Sequence, residues 1–365
     1  MKNQENLSLL ASGLGIMSAP TVFATYVHNL DPIALPIYQG LALRWYGLAY
    51  LLGFLGGFLL LRSLARRSLW VLKPEKTADF IAAVALFGVF IGGRLGYVLF
   101  YQIPAKGWQS LVDDPLLVFR VWEGGMASHG GILGVVIFAW FYARKQKVSW
   151  SGLGDGLCVV APLGLFFGRV ANFINGELYG RVVQGIGWAV KFPLTLVDGN
   201  APEFDRFDAA ATAAVQVQPT LGVAYQAMET ASSADYPYAK SAYFEALLGA
   251  NRESEKVSQA IAPYLEPRHP SQLYEGLLEG LLLFVILYAV RVKFKNAPDG
   301  LLTGLFFALY AIFRIFGEHF REPDAAMVGA FSKGQFLSFF MFAFSAAFLI
   351  HAWRGWRRRT PAHRR

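Results

Sequence analysis

Arg169, Asn172, Asn175, Glu177 and Arg181 crowd into one stretch, GRVANFINGELYGR, directly after the apolar run Leu157–Phe167. Arg314 ends a second apolar run. Tyr310 lies one turn before it and Glu318 one turn after, so the three share a helix face, and Arg321 follows in FREPD. A guanidinium is a planar fork of donors that grips a phosphate through two parallel bonds. Two such forks at the ends of apolar runs suit an oxyanion that bulk water does not freely reach, which points to the headgroup of a lipid. His129, in GGMASHGGILG, adds a group whose unperturbed pKa of about 6.5 suits proton transfer. Its flanking glycines allow close backbone approach. Tyr46 opens the first apolar run, and His269, Gln272, Tyr274 and Glu275 cluster in RHPSQLYEG.

These groups need elements to hold them. The chain has 365 residues, 55% hydrophobic and 16% charged, against about 25% charged in a typical soluble domain. A spanning helix needs about 20 mostly apolar residues. Seven runs qualify: roughly Trp45–Leu61, Phe80–Phe100, Met126–Tyr142, Leu157–Phe173, Gly276–Val290, Leu301–Gly317 and Gln335–Trp353. They are continuous rather than alternating, which favours helices over a barrel. Gly53/Gly57 and Gly92/Gly96 give small-residue faces for close helix contact.

Lysine and arginine concentrate after runs one, three, five and seven, in Arg62–Lys76, Arg144–Lys147, Arg291–Lys295 and Arg354–Arg365. The positive-inside rule makes that side cytoplasmic, so the net charge of +8 reflects topology rather than nucleic-acid binding. Runs two, four and six then place Arg94, Arg169 and Arg314 near the opposite face. Each arginine within a span costs about 2.5–3.5 kcal/mol on insertion scales, so something must compensate. Arg94, amid glycines in IGGRLGY, fits helix-end electrostatics or snorkelling.

The expected fold is an all-α integral membrane protein, a seven-transmembrane-helix bundle with an extracytoplasmic insertion between helices 4 and 5. Residues 1–44 form an extracytoplasmic N-terminal segment, in which Leu7–Val27 reads as a loose segment, a signal-like region or an eighth span. Residues 45–181 carry helices 1–4 and the polar motifs. Residues 182–268 are the insertion, with 10 acidic against 4 basic residues from Thr195 to Pro267, and they read as a partly helical subdomain without a chemical motif. Residues 269–353 carry helices 5–7, and 354–365 a basic cytoplasmic tail. The active site faces the extracytoplasmic side and the C-terminus the cytoplasm.

Other chemistries fare worse. One cysteine, Cys158, excludes a disulfide framework and reads as a small apolar residue of run four. His129 and His269 lack metal-ligand spacing, so no metal is expected. No GxSxG elbow exists, and Ser128 beside His129 is no triad. Asp155 lies at the inner end of run four, away from the other polar groups.

WYGLAYLLGF, FIGGRLGYVLFY, FRVWEGGMASHGGILGV, GRVANFINGELYGR, RHPSQLYEGLLEG and FREPD together, in this order, resemble the bacterial prolipoprotein diacylglyceryl transferase family. The likeness covers about residues 31–353. Ala171 stands where the family signature usually has glycine, and the insertion and N-terminal extension are longer than usual. The resemblance implies an inner-membrane enzyme that moves the diacylglyceryl group of phosphatidylglycerol to the lipobox cysteine of a prolipoprotein signal peptide. A thioether and glycerol phosphate result, as the first step of lipoprotein maturation. No cofactor is implied. The family's important positions match Tyr46, His129, Arg169, Asn172, Glu177, Gly180, Tyr310, Arg314, Glu318 and Arg321.

The implied reaction needs a thiolate, although a free thiol has a pKa of about 8.5, and it leaves new charge on phosphate. Arg169 and Arg314 are expected to stabilise that charge. His129 is the expected base and Glu177 the alternative. Asn172, Asn175 and Tyr310 orient the headgroup or the arginines, and Tyr46 lines the wall. A lipid flippase would place polar groups on both sides of the midplane, and a non-catalytic lipoprotein-binding scaffold would not need His129 or Arg314.

Overall fold

An apolar run buried in lipid can satisfy its backbone only within itself, which forces helix. All seven runs are helical in the computed structural model, which describes residues 25–359 except 39, 40, 121–123, 324–328 and 330. The Leu7–Val27 reading falls outside the described residues save its last three. The chain divides into two units: Met1–Asn29 with Val182–His269, and Leu30–Arg181 with Pro270–Arg365.

The second unit begins with an antiparallel hairpin of β2 (Ile33–Tyr38) and β3 (Leu41–Arg44), preceded in the chain by β1 (Tyr26–Val27) of the other unit. Helix α1 (Trp45–Arg66) follows, then α2 (Pro74–Lys106), α3 (Ser128–Gln146) and α4 (Trp150–Asn175). The intervening segment supplies β4 (Val190–Lys191), α5 (Phe207–Val217), α6 (Gly222–Glu229), α7 (Tyr236–Glu253) and α8 (Glu255–Ile261). The chain returns with α9 (Ser271–Lys293), α10 (Leu301–Gly317) and α11 (Lys333–Arg359). Helices α1, α2, α4, α9 and α11 are long and apolar enough to cross a membrane; α10 is a shorter apolar helix. The last helix continues past Trp353 to Arg359, because arginine is a good helix former.

Glycine sets the closest helix contacts. A Cβ on Gly130 would lie 2.6 Å from Gly96 Cα, and one on Gly92 2.8 Å from Gly134 Cα, so α2 and α3 cross backbone to backbone. Gly53 meets Gly164 of α4 in the same way, at 3.2 Å. Asp155 has a structural task. Its carboxylate accepts from Gly300 N, Thr303 N and Thr303 Oγ1, each at 2.8 Å, and so satisfies amides at the start of α10. Arg94 is likewise occupied. Its guanidinium donates to the carbonyls of Leu117, Val118, Gly124 and Gly125, which fixes the loop between α2 and α3 rather than facing a ligand.

The first unit has its own core. Phe207, Ala211 and Ala214 of α5 pack with Met228, Tyr243, Leu247, Val257 and Ile261. This unit also takes in residues that precede the helices. Residues 26–27 pair in parallel with 190–191, and Asn251 Nδ2 donates to His28 O at 3.0 Å, so the end of the N-terminal segment completes this fold. Residues 30–44 belong instead to the helical unit.

Candidate active site

The polar end of α4 is built by its termination. Gly176 takes a left-handed conformation (φ 71°), which a residue with a Cβ rarely adopts, and closes the helix with bonds to the carbonyls of Asn172 and Phe173. The chain doubles back, and Glu177 N bonds Asn172 O at 3.2 Å. Glu177 therefore sits beside its own helix end. Its Oε1 accepts from Asn172 Nδ2 at 2.7 Å and from the Tyr46 hydroxyl of α1, to which Asn172 also donates. Gln272 of α9 donates to Glu177 O at 2.7 Å and holds the loop from the other side. Burial raises the Glu177 carboxyl above its ordinary pKa.

Three residues back along α4, Arg169 projects toward α9. Gly276 makes room: a Cβ there would lie 3.2 Å from Arg169 Cβ, while Gly280 accommodates Phe166. Arg169 Nη2 reaches Glu275 Oε2 at 2.9 Å and Glu279 Oε2 at 3.6 Å. Arg314 of α10 approaches the same acids, with Nη1 at 3.0 Å from Glu275 and 3.4 Å from Glu279, and its Nη2 pairs with Glu318 at 2.5 Å. Arg321 Nη1 adds a third cation 3.1 Å from Glu275. Tyr310, one turn before Arg314, lies against Glu279. The Gly276–Leu282 turn of α9 is π-helical, an uncommon local geometry that recurs at functional sites.

Three arginines facing three glutamates explain how cations are tolerated at the ends of apolar helices, since pairing offsets the cost of desolvating each charge. The two phosphate-gripping candidates are not equivalent. Both amino groups of Arg314 are committed, whereas Arg169 uses only Nη2 among the described residues, although the two side chains are almost equally buried. Arg169 keeps Nε and Nη1 for a further acceptor.

The remaining sequence candidates divide. Gly180 contributes backbone, forming a bridge with Arg321, and Arg181 N and Nε bond Phe320 O and Arg321 O at 2.9 and 3.0 Å. That pairing anchors Arg321 beside Glu275. Asn175 is the last residue of α4 and makes no side-chain hydrogen bond among the described residues. His129, second residue of α3, is exposed and has no side-chain hydrogen bond or ion pair to a described residue. His269 belongs to the other unit, where burial lowers its imidazole pKa. Sequence reasoning missed Glu279, whereas Glu275, which the sequence offers as an arginine partner, pairs with Arg169, Arg314 and Arg321. The i, i+4 spacing of the two acids in YEGLLEG was the available signal. No group of three or more His, Cys, Asp or Glu among the described residues could hold a metal.

Comparison with known proteins gives a consistent result. Residues 32–351 match the model of a family described as prolipoprotein diacylglyceryl transferase. A phosphatidylglycerol–prolipoprotein diacylglyceryl transferase of Bdellovibrio bacteriovorus is 39% identical over 335 residues, 89% of this chain and 93% of that one. Proteins of the same name from Geobacter sulfurreducens and Proteus mirabilis are 37% and 35% identical, covering 86% and 89% of this chain and 92% and 93% of their own.

Proposed function

The chain belongs to the prolipoprotein diacylglyceryl transferase family, and from that premise we propose that it transfers the diacylglyceryl group of phosphatidylglycerol to the lipobox cysteine of prolipoproteins. It is a multi-pass membrane transferase. Helices α1–α4 and α9–α11, the shorter α10 included, all cross the bacterial inner membrane, with the basic loops and C-terminus cytoplasmic. The arginine–glutamate cluster faces the other side, as does the inserted unit. Lysine and arginine asymmetry between alternate loops supports that orientation.

The observation that carries the reading is the half-used guanidinium of Arg169 beside a carboxylate pair it shares with Arg314. In the reaction, the cysteine thiol loses its proton and the thiolate attacks the glycerol carbon that bears the phosphate ester. A C–S bond forms and the C–O bond breaks, its electrons leaving with glycerol phosphate. The phosphodiester becomes a monoester and gains one negative charge. Arg169 receives that charge through Nε and Nη1. Arg314, held by Glu275, Glu279 and Glu318, fixes the acids against which Arg169 is aimed. Such preorganised donors need no reorganisation at the moment of reaction.

His129 accepts the thiol proton, and its exposure, with no side-chain partner among the described residues, leaves the imidazole available. Glu177 is the alternative base, since burial raises its pKa and so improves it as an acceptor near neutrality. Tyr46 and Asn172 hold Glu177 in place. Tyr310 and Asn175 line the headgroup's approach, and Glu318 and Arg321 position the cluster.

The test is to incubate the purified full chain with phosphatidylglycerol vesicles and a lipobox peptide, then weigh the peptide. A mass gain of one diacylglyceryl group that disappears when the peptide cysteine becomes serine supports the proposal. An unmodified cysteine peptide, with substrate and folded protein present, contradicts it.

A further inference from the structure

The end of the helical unit remote from the arginine–glutamate cluster also carries charge. A cavity of about 610 Å³ opens there, lined by the α1–α2 loop, the start of α4, the α9–α10 loop and the last turn of α11. Asp155, on its wall, lies roughly 20 Å along α4 from Arg169, at about 1.5 Å of rise per residue. The cavity is shaped by two glycines one turn apart. Gly152 has Asp299 Cγ 3.0 Å from where its Cβ would stand, and Gly156 has the indole of Trp70 lying directly on it.

The charges in this cavity are incompletely matched. Arg291 donates Nη2 to Lys295 O at 2.5 Å, while its Nε is buried with no partner. Asp155 already accepts three bonds from the start of α10. Among the described residues no ion pair engages Arg291, Lys295 or Asp299. The cavity thus offers two cationic donors and, in Asp299, a carboxylate that feels the charge of Arg291 but has no close ion pair among the described residues, flanked by Trp70 and Trp356. Tryptophans of this kind settle at the headgroup level of a bilayer, and basic pockets between helices take lipid heads.

We propose that this cavity binds the zwitterionic headgroup of a second, non-substrate phospholipid, of the phosphoethanolamine class. Arg291 and Lys295 take the phosphate, and Asp299 takes the ammonium. An anionic head without an amine would leave Asp299 facing like charge. A choline head offers Asp299 no N–H donor. The inference rests on the membrane reading above, but its test does not require transfer to occur.

Native mass spectrometry of the detergent-purified full chain, titrated separately with phosphatidylethanolamine, phosphatidylglycerol and phosphatidylcholine, reads the site. Wild type should retain phosphatidylethanolamine over phosphatidylcholine. Arg291→Gln and Asp299→Asn should each lower that retention about tenfold, with phosphatidylglycerol retention and transfer unchanged. Lys295→Gln, an exposed change, serves as the second variant if Asp299→Asn lowers the folded yield. Equal retention in all variants overturns the proposal. So does equal retention of all three lipids, or competition by soluble glycerophosphoethanolamine as strong as by the lipid, which would assign the cavity to a free phosphoryl amine.

Discussion

Arg268 and Arg169 both face glutamate, and the two arrangements do opposite work. In the inserted unit, Arg268 meets Glu203 fork to fork, Nε to Oε1 at 2.9 Å and Nη2 to Oε2 at 2.7 Å, with neither side chain exposed. The pair is closed. In the helical unit, Arg169 approaches Glu275 and Glu279 through one nitrogen, shares both acids with Arg314, and has Nε and Nη1 without a bond among the described residues. A closed pair serves the fold, because the fork matches both carboxylate oxygens and neither side chain reaches solvent. An over-shared, half-open cluster is costly to maintain for folding alone and has capacity left for an incoming anion.

Breaking the open side should have the largest effect. Arg169→Gln should cut transfer about 100- to 1000-fold while the protein stays folded in membranes; the peptide-mass assay and a melting curve check the two parts. A normal rate would put Arg169 in the structural class with Arg268. Breaking the closed side should reverse the pattern. Arg268→Ala leaves Glu203 buried without its cation, at a cost of about 3–5 kcal/mol in stability, with the rate per folded molecule unchanged. The double change Arg268→Met with Glu203→Leu should recover most of that stability, because an apolar pair replaces an ion pair at little net cost. Loss of transfer in Arg268→Ala without loss of stability would erase the contrast.

Arg94 sharpens the comparison from a third direction, as a cation spent on carbonyls. Arg94→Lys cannot reach all four oxygens and should lower stability by about 1–3 kcal/mol, again with transfer per folded molecule intact. The smallest effect is expected at Glu177. Burial raises its pKa, so ionisation costs stability above that value, and the cost vanishes below the unfolded pKa of about 4.3. Glu177→Gln keeps an acceptor for Tyr46 and Asn172 without the charge. It should melt above the parent near about pH 8, and the curves should converge as the pH falls toward about 4.

Much of this was legible in one dimension. A spanning run declares itself by length and apolarity, and the helices occupy the stretches so read, their ends extended by several residues where basic or small side chains still favour helix. The motif residues Arg169, Asn172, Glu177 and Arg314 declared themselves by being polar where polarity is expensive. What the sequence hid was pairing. The spacing of Glu275 and Glu279 puts both on one face of α9, but which arginines they meet depends on Gly276 and Gly280 packing against Arg169 and Phe166. Arg268 and Glu203 are 65 positions apart, and no local pattern joins them. The pairing of residues 26–27 with 190–191 is hidden for the same reason. His129 shows the converse: its sequence setting suggested company, and its side chain bonds none of the described residues.

The central claim is that the unused edge of Arg169 receives the phosphate. Solid-state NMR of the chain with ¹⁵N-labelled guanidiniums in phosphatidylglycerol bilayers measures ¹⁵N–³¹P dipolar contact directly. The account predicts a short-range contact that disappears in Arg169→Gln and survives in Arg268→Met/Glu203→Leu. A contact undiminished in Arg169→Gln, or absent from the unaltered protein, would contradict it.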